Sequence, residues 1–249
     1  MRDREPFRRK DLRELRTELL ERADEVVAMR EIAAGESDPL VIGLRHDVDN
    51  VLEPCLELAQ WENRHGFRAT YFVLHDAPYW NDPELPRVLE QIAELGHEIG
   101  IHANAIAVAL LTGLDPHEIL WRGIGRLRSW GHAVTGVVAH GDPLCYRSHF
   151  VNDEQFSECA RPEMGNPERR LHYRGLSLDL EPVPLATFGL AYESLRLPRA
   201  LYLSDSGGSW NEPFAELVER FPNPFGQLHV LQHPCWWTDA FPTAVEAAA

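Results

Sequence analysis

The amino-acid sequence predicts an α/β fold in which a parallel sheet is covered by helices, open or closed into a barrel. Two patterns point to it. Short apolar runs rich in β-branched and aromatic residues alternate with longer stretches whose apolar residues recur at the helical period. Those runs repeatedly end in a histidine or an aspartate, and parallel α/β folds build their sites at the carboxyl ends of the strands. With 249 residues, 44% of them hydrophobic, the chain can bury one full core, so a single domain over residues 1–249 is expected, with residues 1–38 as an N-terminal helical extension.

In chain order, residues 9 to 30 space Leu12, Leu15, Leu19, Leu20, Ala23, Val26 and Val27 at a helical period, which predicts one outer helix. Gly35, Ser37, Asp38 and Pro39 mark a linker. Val41, Ile42 and Leu44 predict a buried strand that runs into Arg45, His46, Asp47 and Asp49. Two carboxylates spaced i, i+2 leave a strand on one side, where one can bind a metal while its neighbour serves as a base. A loop with a structural salt bridge from Arg45 or His46 explains the same residues, and Asp-x-Asp alone favours that reading.

Residues 51–66 predict a helix with Pro54 in its first turn, and RATYFVLH a strand ending at His75. A helix follows with Leu85, Val88, Leu89, Ile92 and Leu95 on one face, stopping at Gly96. HEIGIHANAI reads as a short strand ending at His102, and the next helix has Asp115 as its N-cap. AVTGVVAH is a strand ending at His140, and GDPLCYRSHF reads as a loop. Residues 151 to 175 combine a helical turn with an exposed loop long enough to suggest a lid. GLSLDL, ALYLSDSGGSW and QLHVLQHP supply three more strands, with EPFAELVERF a helix between the last two. A lone histidine after a strand is more often structural, and His75 is read so. Seven such tips, Asp47, Asp49, His75, His102, His140, Asp205 and His233, are hard to explain by packing.

Composition excludes several partners. A formal net charge of −15, with Lys10 the only lysine and no basic cluster beyond the N-terminal RRK, argues against nucleic acid. Cys55, Cys145, Cys159 and Cys235 form no CxxC pair, so neither a zinc knuckle nor a disulfide framework is indicated. The N-terminal stretch lacks the apolar segment of a secretion signal, and no run is long enough to span a bilayer, which predicts a soluble, cytoplasmic protein.

Over residues 40–237 the order of motifs resembles the NodB-homology polysaccharide deacetylases, carbohydrate esterase family 4. RHDVD stands where that family has its TFDDG-like motif, GHEIGIH matches GHEIGxH, LSDSGGSW is similar to the Asp…Trp motif, and LQHP resembles the closing Leu-x-His motif. The resemblance implies a distorted (β/α) barrel of about seven parallel strands, a divalent metal, with zinc the expected ion, and hydrolysis of an N-acetyl group on a carbohydrate. By motif position it makes Asp47 the general base, Asp49 and His102 metal ligands, and His233 the general acid oriented by Asp205, with Trp210 walling the pocket. His97 is not carried over. Two departures follow. Ile106 stands where the family has a second ligating histidine, and AHGDPLCYR stands in the region of Arg-x-Pro-Tyr. His140 is then the expected third ligand, with Asn104 second because amide oxygens bind zinc poorly, and Arg147 the expected replacement for the base-orienting arginine; Trp210, Arg147 and Asn104 are the expected substrate contacts. The substrate expected is a cytoplasmic sugar, such as a nucleotide-linked or lipid-linked precursor of a surface polysaccharide. The same residues leave two alternatives open: a sugar-binding or regulatory member of the fold that has lost catalysis, and an amidase for a small non-sugar amide.

Overall fold

The computed structural model of the protein describes residues 7–35, 40–159, 169–221 and 227–240. Its strands are β1 Glu25–Val27, β2 Val41–Val48, β3 Thr70–Leu74, β4 Glu98–Ala103, β5 Gly136–Ala139, β6 Arg170–Tyr173, β7 Leu176–Asp179, β8 Tyr192–Glu193, β9 Leu201–Ser204 and β10 Leu228–Gln232. The helices are α1 Arg9–Glu18, α2 Met29–Ala34, α3 Glu53–Arg64, α4 Leu85–Glu94, α5 Ala105–Thr112, α6 Pro116–Ser129, α7 Pro143–Arg147 and α8 Phe214–Arg220. Seven strands follow one hydrogen-bonded path, β8-β5-β4-β3-β2-β10-β9, and β1 pairs with β2 beside it. The registers of β1 on β2, β10 on β2, β10 on β9, β4 on β5 and β5 on β8 are all parallel. This is the expected class, a parallel α/β sheet of seven strands in one path. Among the described residues no helix is long and apolar enough to cross a membrane. Linker residues 36–39 and most of the suspected lid, 160–168, lie outside the described residues.

The chain divides into two compact units. The first holds Met1–Tyr71, Asn81–Glu98 and Pro198–Ala249 and is organised on β2, which is buried at all eight positions. Gly43 lets α2 lie against that strand, because a Cβ there would come within 3.0 Å of both Ile32 and Met29. Pro54 sits in the first turn of α3 as expected, where its missing N–H has no intrahelical partner to lose. The predicted helix over 9–30 is corrected. α1 stops at Glu18, and Glu25–Val27 forms β1, which pairs with Val41–Gly43. The apolar spacing there fits helix and strand alike, and the β-branched pair Val26 and Val27 buries more as an added strand.

The second unit holds Phe72–Trp80 and Ile99–Leu197. Asp115 caps α6 as expected, its Oδ1 accepting from the backbone N–H groups of His117 and Glu118. GDPLCYR is a helix, α7, rather than a loop. Asp142 accepts from Leu144 N and Pro143 opens the first turn, the signature of a helix start. GLSLDL is also corrected: β7 leaves the parallel sheet and pairs antiparallel with β6. Arg174 and Gly175, at φ 46° and 84°, form the two-residue turn whose twist suits a hairpin. The strand beside β5 is the shorter β8.

The close approach of β4 to its neighbours gives a test. A Cβ on Gly100 would lie 2.5 Å from the Phe72 ring and 3.2 Å from Gly136 O. Gly100→Ala is expected to lower stability by about 1–3 kcal/mol in urea denaturation, and an unchanged midpoint would contradict this packing.

Candidate functional site

In the first unit the alternation of β2 sends neighbouring side chains to opposite faces. Arg45 and Asp47 share one face and are both buried, with Arg45 Nη2 3.2 Å from Asp47 Oδ2. His46 faces the other way and meets Glu62 of α3 at 2.6 Å, both fully buried. Tyr71 donates its hydroxyl to the same carboxylate at 2.8 Å. Burial alone would raise Glu62, but the charge and hydrogen bond of His46, with His97 and Tyr71, hold it below the usual carboxylate value. His97 accepts from Ala69 N and donates to Ala59 O, and burial pushes it down. Both of its ring nitrogens are thus taken up inside the fold.

β9 and β10 deliver Asp205 and His233 at their carboxyl ends. Asp205 is wholly buried and takes hydrogen bonds on both oxygens: from His233 N at 3.0 and 2.9 Å, from His233 Nδ1 at 2.6 Å, and from Trp237 Nε1 at 2.7 Å. With Nδ1 so engaged, His233 Nε2 lies 3.8 Å from Asp49 Oδ2. Burial would lower this imidazole, but the hydrogen bond and charge of Asp205, with the charges of Asp47 and Asp49, outweigh it and bring it up to about 9. At neutral pH the His233 ring therefore carries its proton.

Trp210 joins an aromatic group with Phe7, Phe214 and Trp237, its ring centroids 5.0, 6.0 and 5.9 Å from theirs. Trp237, which the sequence reading did not single out, is the indole that reaches Asp205. Its position four residues after His233 was the available signal, since a histidine and a nearby tryptophan at one strand end share a site readily. Arg45 was weighed only as a structural salt bridge. The guanidinium that reaches Asp47 is its own, whereas Arg147 is exposed at the end of α7.

In the second unit β4 carries His102 and the end of β5 carries His140. His102 Nδ1 donates to Val138 O at 3.0 Å, which leaves Nε2 with its lone pair, 3.2 Å from His140 Nδ1. The rings stand almost perpendicular, at 89°. Two nitrogens bound to one tetrahedral metal at about 2.0–2.1 Å lie roughly 3.3 Å apart, so the pair fits a shared cation. An imidazole fixed by a backbone carbonyl through its other nitrogen is also the usual form of a ligating histidine. His75 is structural, as expected: its Nε2 accepts from Asn104 N at 3.0 Å, and burial brings it down to about 4.

Asn104 is tied on every polar atom of its amide. Nδ2 donates to Asp76 and Asp142, and Oδ1 accepts from Asn152 Nδ2 at 3.0 Å. Asn152 also donates to His140 O at 2.8 Å, so Asn104 acts as a junction that holds the His140 segment. Its oxygen is already committed, which weighs against the second-choice ligand role. Ile106 is wholly buried in a cluster with Ala107, Leu110, Cys145, Phe150, Leu171 and Leu180, and a histidine there would face the core. α5 is fastened there by Ile106 N, which donates to Asn152 Oδ1 at 3.1 Å.

No family model matches the chain, and no curated protein matches it. Among solved structures the chain is similar to a family 4 carbohydrate esterase from Streptomyces lividans in complex with acetate, at 15% identity over 83% of this chain and 82% of that one, with a TM-score of 0.43. It is also similar to a peptidoglycan N-acetylglucosamine deacetylase, at 23% identity and a TM-score of 0.30. That match spans 39% of this chain and 44% of the deacetylase.

The raised imidazole gives a pH test. Because its folded value lies above its ordinary 6.5, the stability His233 contributes is fully present below that pH and is lost as pH rises through about 9. In metal-free Asp205→Asn the His233 ring should titrate about one unit lower or more by NMR, and the decline of thermal stability across that window should flatten. A ring that still titrates near 9 would rule out Asp205 as the cause.

Proposed function

We propose that the chain is a metal-dependent N-deacetylase that hydrolyses the N-acetyl group of an amino sugar, in the manner of a divergent carbohydrate esterase of family 4. The observation that carries the reading is the Asp205–His233 pair, a buried carboxylate that keeps an imidazole protonated beside Asp49. Amide hydrolysis needs that group, because the leaving nitrogen departs as an amine only if a proton reaches it.

The proposed ligands are Asp49, His102 and His140, one carboxylate and two imidazoles, a donor set suited to zinc with positions left for water and substrate. When bound, the metal would polarise the acetyl carbonyl and favour ionisation of water. The chain's own residues account for the protons. Asp47 takes one from the attacking water, and Arg45 holds that carboxylate in place. The new carbon–oxygen bond forms, the carbon–nitrogen bond breaks, and His233 Nε2 gives its proton to the departing amine. Acetate and the free amino sugar result. Trp210 and Arg147 are the proposed contacts for the sugar. Amino-sugar precursors of a surface polysaccharide are the proposed substrates, and the cytoplasm the proposed compartment.

The alternative of a binding module is weakened by the same pair. A binder gains nothing from burying Asp205 against a charged histidine, since desolvating both costs several kcal/mol that only the pairing offsets.

Acetate release from N-acetylated amino sugars, assayed with added zinc, tests the reading. His233→Ala should lower turnover by about 10² to 10⁴. Asp47→Asn should abolish release while zinc still binds, and His102→Ala should lose the zinc. Turnover retained by Asp47→Asn would sink the assignment, and sugar binding without acetate release by the zinc-loaded wild type would favour the binding module.

A further inference from the structure

Although the chain carries a formal net charge of −15, one groove in the first unit is lined by arginines. Arg9, Arg13 and Arg16 recur at i, i+4 and i+7 on α1, which sets them along one face of the helix. Trp61 and Arg64 lie three residues apart on α3 and so share a face as well. With Leu12 these residues line a cavity of about 300 Å³. One hydrogen bond, oriented by a second, ties its walls together. His65 Nδ1 donates to Trp61 O at 2.8 Å, which turns its other nitrogen, as acceptor, to Arg16 Nη1 at 2.6 Å. Arg16 also meets Glu21 at 3.3 Å.

Charge in the groove is otherwise one-sided. No carboxylate is among the described residues that line it, and among the described residues no ion pair joins Arg13 or Arg64 to an acid. Arg13 on α1 and Arg64 on α3 bring two positive charges to one cavity, a repulsion that a bound anion converts into attraction. A single carboxylate satisfies one guanidinium fork. A phosphate or diphosphate offers several acceptor oxygens and more than one charge, matched to several forks at once. Trp61 adds an apolar face on which an organic body can pack.

We propose that this groove binds a phosphate-bearing ligand, a phosphate or diphosphate carried on an organic body that lies against Trp61. The inference does not depend on the deacetylase reading, since none of the residues proposed for that chemistry lines the groove. The ligand's phosphate can come from a soluble ester or from a phospholipid headgroup, and both present the same oxygens.

Calorimetric titration of the full chain with inorganic pyrophosphate and with a nucleoside diphosphate, alongside co-sedimentation with phosphatidylglycerol vesicles, separates the sources. The variants are Arg13→Glu with Arg64→Glu, both exposed positions, and Arg87→Glu as a charge control on α4. Saturable binding of either soluble probe, weakened at least about tenfold by the groove variant and unchanged by the control, supports a soluble ligand. Binding to vesicles alone with the same dependence supports a lipid-borne phosphate. Arg13→Gln with Arg64→Gln should give the same loss without reversing charge. Absence of binding to all three probes, or equal loss in Arg87→Glu, overturns the proposal.

Discussion

A carboxylate shut away from water needs its oxygens satisfied by the protein, and Asp205 is satisfied by three N–H donors of two residues, one of them shared between both oxygens. Removing any one donor would leave a buried acceptor short, at roughly 1–3 kcal/mol or more where charge is involved. That requirement fixes the geometry of the first unit's strand ends. The turn after β10 must bring the His233 backbone, its ring and the Trp237 indole to one point, and the aromatic group of Phe7, Trp210 and Trp237 packs around that point. The orientation of His233, and with it the proton it holds, follows from how Asp205 is buried.

Strand β2 shows a second consequence of burying charge. All eight of its positions are inside, yet three consecutive ones are Arg45, His46 and Asp47. Pleating resolves the conflict by pairing within each face: Arg45 with Asp47 on one side, His46 with Glu62 and Tyr71 on the other. A strand that carries reactive groups into a core needs partners on both faces, and α3 and β3 supply those on the far side.

Much of this was legible in the sequence, for identifiable reasons. Apolar runs ending in His102, His140, Asp205 and His233 are local patterns, and strand tips converge in any parallel α/β sheet. The features that local pattern does not show depend on longer-range contacts. That Arg45 reaches Asp47 turns on side-chain direction, not motif position. Val26 and Val27 fit either a helix or a strand until β2 offers an edge. The arginine groove was invisible because Arg64 stands 48 residues beyond Arg16 in sequence and joins it only when α1 and α3 pack. Asn104, expected at the site by sequence position, is also tied to Asp76, Asp142 and Asn152, partners that local sequence does not show.

The central claim is the proposed hydrolytic chemistry, with an acid held by Asp205 and a metal held by His102 and His140. X-ray absorption spectroscopy of the zinc-loaded protein tests the metal half of it most directly. The account predicts one tightly held zinc with two imidazole ligands and otherwise oxygen ligands, with one imidazole lost from the shell in His140→Ala. A sulfur-containing shell, or a zinc whose spectrum is unaltered in that variant, would contradict it.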